Sequence, residues 1–313
     1  MRLAEAPEAL VLGGGGILGL AWMSAVLVGL DESGSFDARD CGSYVGTSAG
    51  SIVAASLVAG VSPATGLGRL AERPAVELEE AEDGATPLRQ AFDALAGLSG
   101  SAVAPLASLA FSSTAGGGAL LRRAALSRVP EGRRSLDELG RMITRTGASW
   151  DGRLRVSAVE LESGRRVMFG APGAPDLSVS EAVQASCAIP GVFRPIRSGG
   201  RSYVDGGAWS PTNMDTAEVQ RGERVLCLNP TGSLRPGIGA LAGALGPVSR
   251  GLAAAEALVL KHRGAIVTTI NPDDATTAVM GPNLMNPKRR EAVIEAGLAQ
   301  GRRLASRDFR QAA

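Results

Sequence analysis

Ser48 stands in the run Gly46-Thr47-Ser48-Ala49-Gly50, a G-x-S-x-G pattern that sets a serine on a sharp turn between a strand and a helix with its hydroxyl presented. The chemistry open to such a serine is nucleophilic attack on an acyl carbon. Both glycines have a steric purpose, because at so tight a turn a side chain at 46 or 50 would meet the neighbouring backbone. The serine takes a strained conformation costing about 1–3 kcal/mol, which the surrounding packing has to offset. The pattern alone also describes a helix that opens with a serine cap. Context favours chemistry: an apolar strand leads in and an apolar helix leads out, as the motif requires.

An attacked carbonyl gathers negative charge on its oxygen, and acyl transfer needs two or more donors aimed there. Gly13-Gly14-Gly15-Gly16-Ile17-Leu18-Gly19 offers a run of side-chain-free amides at the start of a helix. Gly15 and Gly16 are the expected donors, and the Ala49 amide at the start of the next helix joins them. One such donor is worth about 2.7–4 kcal/mol of barrier in comparable sites. The same run fits G-x-G-x-x-G through Gly14, Gly16 and Gly19, which in another setting cradles a dinucleotide pyrophosphate. That use wants an acidic residue at the end of the next strand, but here the next strand, 40–45, runs into the serine turn. Dinucleotide binding is the lesser reading.

Asp205 in Asp205-Gly206-Gly207 closes a short apolar strand, a place where carboxylates of α/β sheets often act, although Asp-Gly is also a common turn pair. A Ser-His-Asp triad needs an imidazole, and the chain has one histidine, His262. The order Ser48, Asp205, His262 would suit such a triad. Yet His262 lies in Lys261-His262-Arg263-Gly264, which reads better as the cationic last turn of a helix before a capping glycine. The base is then a carboxylate. An aspartate starts near pKa 3.9, and a buried site has to raise it, at about 1.36 kcal/mol per unit, before it accepts a hydroxyl proton well.

These residues need elements to hold them. Residues 9–12 form a short apolar strand and 17–30 an apolar helix ending near Gly34; 40–45 and 52–59 repeat the arrangement around the serine turn. Such βα units predict an α/β fold, a mostly parallel sheet with helices on both faces. Strand patterns return at 154–161 and 166–169, joined by a Glu162-Ser163-Gly164 turn, and at 192–196, 203–204, 225–228 and 265–270. Ser178 with Glu181 makes a capping box opening a helix that has to stop before Pro190. A closing amphipathic helix is expected over 288–306. Residues 62–147 are looser and rich in Ala, Ser and Gly, with helical fragments at 87–98 and 135–144. They read as a helical insertion within a single domain spanning 1–313, and the Gly116-Gly117-Gly118 patch suits a cap. Leu98, Leu106 and Leu109 are candidates for covering the site or touching a bilayer surface.

With 313 residues, 45% of them apolar and 20% charged, the chain can bury a sizeable core. A net charge of +1 and 4% aromatic content leave neither the field nor the stacking platforms that nucleic acid requires. Cys41, Cys187 and Cys227 lie far apart in apolar contexts, fitting buried thiols in a reducing compartment, so a cytoplasmic protein without a metal cluster is expected. Residues 9–30 carry no charge, but Arg2, Glu5 and Glu8 are not a basic lead and five glycines interrupt the first half of the run. Neither a signal peptide nor a transmembrane segment is expected.

Three ordered pieces, Gly14-Gly15-Gly16-Ile17-Leu18-Gly19, Gly46-Thr47-Ser48-Ala49-Gly50 and Asp205-Gly206-Gly207, together resemble the patatin-like phospholipase family of lipid acyl hydrolases. Ala185-Ser186-Cys187-Ala188-Ile189-Pro190-Gly191-Val192-Phe193 looks like the family segment that precedes its aspartate. The likeness runs from residue 10 to about residue 211, with 62–147 unmatched in detail. It implies a three-layer α/β/α sandwich, Ser48 as nucleophile, Asp205 as base and Gly14, Gly15 and Gly16 as the oxyanion loop. Gly19, Gly46, Gly50, Gly206 and Gly207 are its motif glycines. It also implies a lipid or other ester substrate and a fold without metal; no cofactor is expected, and a membrane surface is a candidate peripheral contact. Leu18 departs from the family, which usually has Arg or Lys before the last loop glycine. The loop thereby loses a positive charge, which keeps a lipid-binding or scaffold protein of the same fold as the alternative.

Overall fold

The computed structural model describes residues 5–72, 116–234 and 240–306; the helix expected at 87–98 and Leu98, Leu106 and Leu109 lie outside them. β1 (Ala9–Leu12) leads through the glycine loop into α1 (Gly16–Glu32), and β2 (Ser43–Gly46) through the serine turn into α2 (Ala49–Val58) and α3 (Pro63–Glu72). α4 (Gly116–Leu126) and α5 (Asp137–Thr146) precede β3 (Leu154–Glu160), β4 (Arg166–Phe169) and α6 (Val179–Cys187). Then come β5 (Ile196–Ser198), β6 (Arg201–Asp205), β7 (Arg224–Leu228), α7 (Ala240–His262), β8 (Ile266–Ile270), α8 (Asp274–Met280) and α9 (Arg290–Ala305). Ser178 and Glu181 form the expected capping box at the head of α6.

β1 pairs in parallel with β2 and β7, which pair in parallel with β3 and β8. β4, β5 and β6 join antiparallel, so the expected, mostly parallel sheet is mixed at one end. Side chains alternate between two cores. Leu10, Leu12, Tyr44, Leu226 and Leu228 face α1, α2, α6 and α9, whereas Ala9, Val11, Val45, Val225 and Cys227 face Ala253 and Leu260 of α7. Burial on both faces is why these strands read as apolar runs instead of alternating ones, and it gives the three-layer α/β/α arrangement.

α1 is buried at every residue from 21 to 30, pressed between the sheet and α9. That placement accounts for its uncharged run; no described helix is long and apolar enough to cross a membrane. α5 packs on α6, where the Ser180 hydroxyl donates to the Gly140 carbonyl at 2.8 Å. The end of the 62–147 segment therefore belongs to the helical layer. Two strand boundaries differ from the sequence pattern. Residues 38–40 form a short 3-10 turn because the Asp37 carboxylate accepts from the Arg39 amide, which delays β2. The Val192 and Phe193 amides both donate to the Ile189 carbonyl, coiling a stretch that reads as strand, so β5 begins only at Ile196.

Candidate active site

The antiparallel part of the sheet brings distant residues together. On β3, Val156 pairs with Gly46 and with Phe169, while Ala158 pairs with Asp205 and with Val167. β4 therefore fills one edge of β3, and β2 and β6 share the other edge, running toward each other. Their ends meet two β3 residues apart, roughly 7 Å at strand spacing. β2 hands the chain to Ser48 there, and β6 ends there in Asp205.

Ser48 sits at φ 50° and ψ −121° and is 8% exposed, the strained serine turn expected of the motif. Its glycines are required by close approach: a Cβ on Gly46 would lie 2.5 Å from the Ser51 Cα, and one on Gly50 only 1.9 Å from the Leu12 carbonyl oxygen. The Ser48 amide donates to the Ser186 hydroxyl at 2.8 Å, and the Ser48 carbonyl accepts from the Ser51 hydroxyl at 2.6 Å. Cys187, next along α6, lies with its sulfur 3.9 Å from the Ser51 oxygen.

Asp205 is 6% exposed and caps its own turn, its Oδ1 accepting from the Gly207 amide at 2.7 Å. Burial pushes its carboxyl up to about 6, against the opposing pull of the Gly207 amide and of the nearby Ser48 hydroxyl. Desolvation winning over two donors marks a carboxylate that can take a proton near neutrality. The neighbouring Cys187 thiol is pushed up by burial first and by the Asp205 charge second, so it stays protonated.

On the other side of Ser48 lies the glycine loop, where a Cβ on Gly14 would stand in van der Waals contact with that of Ser48, at 3.5 Å. Gly14 is not a free donor, since its amide is spent on the Pro211 carbonyl at 2.8 Å. The Gly15, Gly16 and Ala49 amides donate to no group among the described residues. Gly16 has φ +57°, a left-handed value that favours glycine. The outer side of the loop is walled: Pro230 lies against Gly15 and Gly19, and Met285 against Gly16, while the Leu18 amide donates to the Leu284 carbonyl at 3.0 Å. Leu18 is fully buried in the core, which explains an apolar residue at that position. No group of three or more metal-ligating side chains is gathered among the described residues.

The structure does not bring His262 into this constellation. Its exposed ring shares the surface with Leu258, Val259 and Arg263. β8, which starts just after it, begins opposite Arg224, whereas Ser48 follows the far strand end, where Gly46 pairs with Leu12 and Leu12 with Leu228. Along the parallel strands that separation is roughly 13 Å at about 3.3 Å per residue.

Three buried polar residues that the motifs do not mark stand behind the pair. Thr47, Ser157 and Asn213 are fully buried and mutually hydrogen-bonded, Ser157 Oγ to Thr47 Oγ1 at 2.9 Å and Asn213 Nδ2 to Thr47 Oγ1 at 3.0 Å. The loop carrying Asn213 is held in turn by Glu256 of α7, whose carboxylate accepts from the Thr212 hydroxyl and, at 2.8 Å, from the Met214 amide.

The family model described as patatin-like phospholipase matches residues 10–218. Among solved structures the chain is similar to VipD from Legionella pneumophila, at 18% identity and TM-score 0.46, covering 96% of this chain and 66% of that one. It is also similar to ExoU from the type III secretion system of Pseudomonas aeruginosa, solved in complex with SpcU, at 22% identity and TM-score 0.35, covering 95% and 53%. The chain thus spans 53% to 66% of the length of those structures. No curated protein matches it.

Proposed function

The chain belongs to the patatin-like phospholipase family, and on that premise we propose that it hydrolyses carboxylic esters of lipids through a dyad of Ser48 and Asp205. The observation that carries this reading is a strained serine turn that the β3 register sets two residues from the strand end holding a buried aspartate, whose pKa burial raises to about 6, far from the single histidine. Ser48 Oγ attacks the ester carbonyl as Asp205 takes its proton. The Gly15, Gly16 and Ala49 amides receive the oxyanion. The alcohol departs with the proton held by Asp205, and a water deprotonated by Asp205 then releases the acyl group from Ser48.

The lipid substrate follows from the family, and contact with a membrane surface follows from a lipid substrate. The test is hydrolysis of a short chromogenic ester and of phosphatidylcholine vesicles by wild type, Ser48→Ala, Asp205→Asn and His262→Ala. Loss of the base costs about 10²–10⁴ in kcat, and His262→Ala retains wild-type turnover. Full activity in Ser48→Ala would overturn the enzyme reading, and collapse in His262→Ala would replace the dyad with a triad.

A further inference from the structure

No step of that reaction uses the polar node behind the dyad, yet one residue in it touches both halves. Asn213 is fully buried at φ 50°, ψ 30°, a left-handed conformation that asparagine tolerates better than most residues. Its Nδ2 lies 3.0 Å from Thr47 Oγ1, 3.2 Å from Ser157 Oγ, 2.7 Å from the Ser210 carbonyl and 3.4 Å from the Gly206 carbonyl. Thr47 immediately precedes Ser48, and Gly206 immediately follows Asp205. Ser157 stands on β3 between Val156, which pairs with Gly46, and Ala158, which pairs with Asp205.

The orientation of this amide is determined by its surroundings. Its Oδ1 accepts from Arg166 Nη1 at 3.3 Å, and that guanidinium is itself clamped on Asp215 at 2.7 and 2.8 Å. Turning the amide over would aim its oxygen at two carbonyls and its NH₂ at a cation. The same loop supplies the Pro211 carbonyl that accepts from Gly14, so it also braces the glycine loop.

We propose that Asn213 is a positioning residue, whose side-chain amide sets the distance and angle between the Ser48 hydroxyl and the Asp205 carboxylate. The inference rests on the dyad reading. A fully satisfied buried network of this kind is rigid, and near-attack geometry is sensitive: a displacement on the order of 1 Å costs about a hundredfold in rate. The groups facing Asp205 are the Ser48 hydroxyl, the Cys187 thiol and the Gly207 amide. Of these, the Ser48 contact is the one that Asn213 controls.

Asn213→Gly permits the left-handed backbone while removing only the amide, and Thr47→Val removes its partner on the serine side while keeping the shape. For each, kcat, KM and the pH profile of ester hydrolysis are measured beside the thermal midpoint. Asn213→Gly is expected to lower kcat about a hundredfold and to leave KM within about twofold, the pattern of a lost transition-state alignment. Its acidic limb moves to higher pH, because a displaced Ser48 hydroxyl no longer holds Asp205 down. Thr47→Val moves the same readouts in the same directions, with kcat down about tenfold. Wild-type kcat in Asn213→Gly, or a fall without a shift of the limb, overturns the inference. If Asn213→Gly does not fold, Thr47→Val is judged by the same criteria. Ser48→Ala and Asp205→Asn run alongside: their retained activity would bring down the dyad reading, whereas inactive dyad variants beside a fully active Asn213→Gly would bring down this inference alone.

Discussion

Ser48 is held from two sides built of different materials. On the side of the glycine loop the material is backbone: the amides of Gly15, Gly16 and Ala49, unengaged among the described residues, the Gly14 amide held by the Pro211 carbonyl, and a Gly50 pressed against the Leu12 carbonyl. On the side of Asp205 they are side chains: a carboxylate, the hydroxyls of Ser186, Thr47 and Ser157, and the amide of Asn213. A backbone site tolerates few residue types where a Cβ would collide, as at Gly15 and Gly50. A side-chain site is assembled from ordinary polar residues that topology brings together. The first should fail abruptly when changed, and the second should degrade in steps.

The largest effect is therefore expected on the backbone side. Gly50→Ala places a Cβ 1.9 Å from the Leu12 carbonyl oxygen, and relieving that overlap should cost more than about 4 kcal/mol, beyond ordinary point substitutions. Chemical denaturation should find little folded protein; a stable and active Gly50→Ala would break the distinction between the two sides.

On the side-chain side, Asp205→Asn should separate activity from stability. The folded pKa of Asp205, about 6, stands above the 3.8 of an ordinary aspartate. The folded state therefore binds more protons between about pH 4 and pH 6, and stability falls as pH rises through that window and stays lower above it. Asparagine removes this penalty, so the inactive variant should be more stable at pH 8 by up to about 3 kcal/mol, with the gain vanishing near pH 4. Urea melts at the two pH values measure it, and an equal effect at both would contradict the burial argument.

The smallest effect is expected at Ser186. Its replacement by alanine leaves the Ser48 amide without its acceptor, which should cost about 1–3 kcal/mol of stability and lower kcat by about tenfold. A neutral result would mean that the serine turn is held by its backbone alone, moving Ser48 entirely to the first side of the comparison.

The same contrast explains what could be read in advance. The glycine loop, the serine turn and the Asp-Gly-Gly end were legible because their steric demands leave a fixed pattern of glycines, and β1, α1 and β7 because strands and helices buried on both sides are uninterrupted apolar runs. Residues 47, 157 and 213 carry no such mark. They meet only because β6 runs antiparallel into the end of β2 along one edge of β3, a register decided by tertiary pairing. Gly14 shows the limit within a legible motif: its place beside Ser48 follows from its type, but its amide is claimed by Pro211, on a loop nearly two hundred residues away. The coil at 189–193 hid for a similar reason, since β-forming residues there are turned by local hydrogen bonds to Ile189.

The most direct test of the central claim is the rate at which a fluorophosphonate labels the protein as a function of pH, with the adduct located by mass spectrometry. The dyad predicts one adduct, on Ser48, whose rate rises through an apparent pKa near 6, the value to which burial lifts Asp205, and which nearly disappears in Asp205→Asn. An adduct on another residue, or labelling of Ser48 at the wild-type rate in Asp205→Asn, would contradict it.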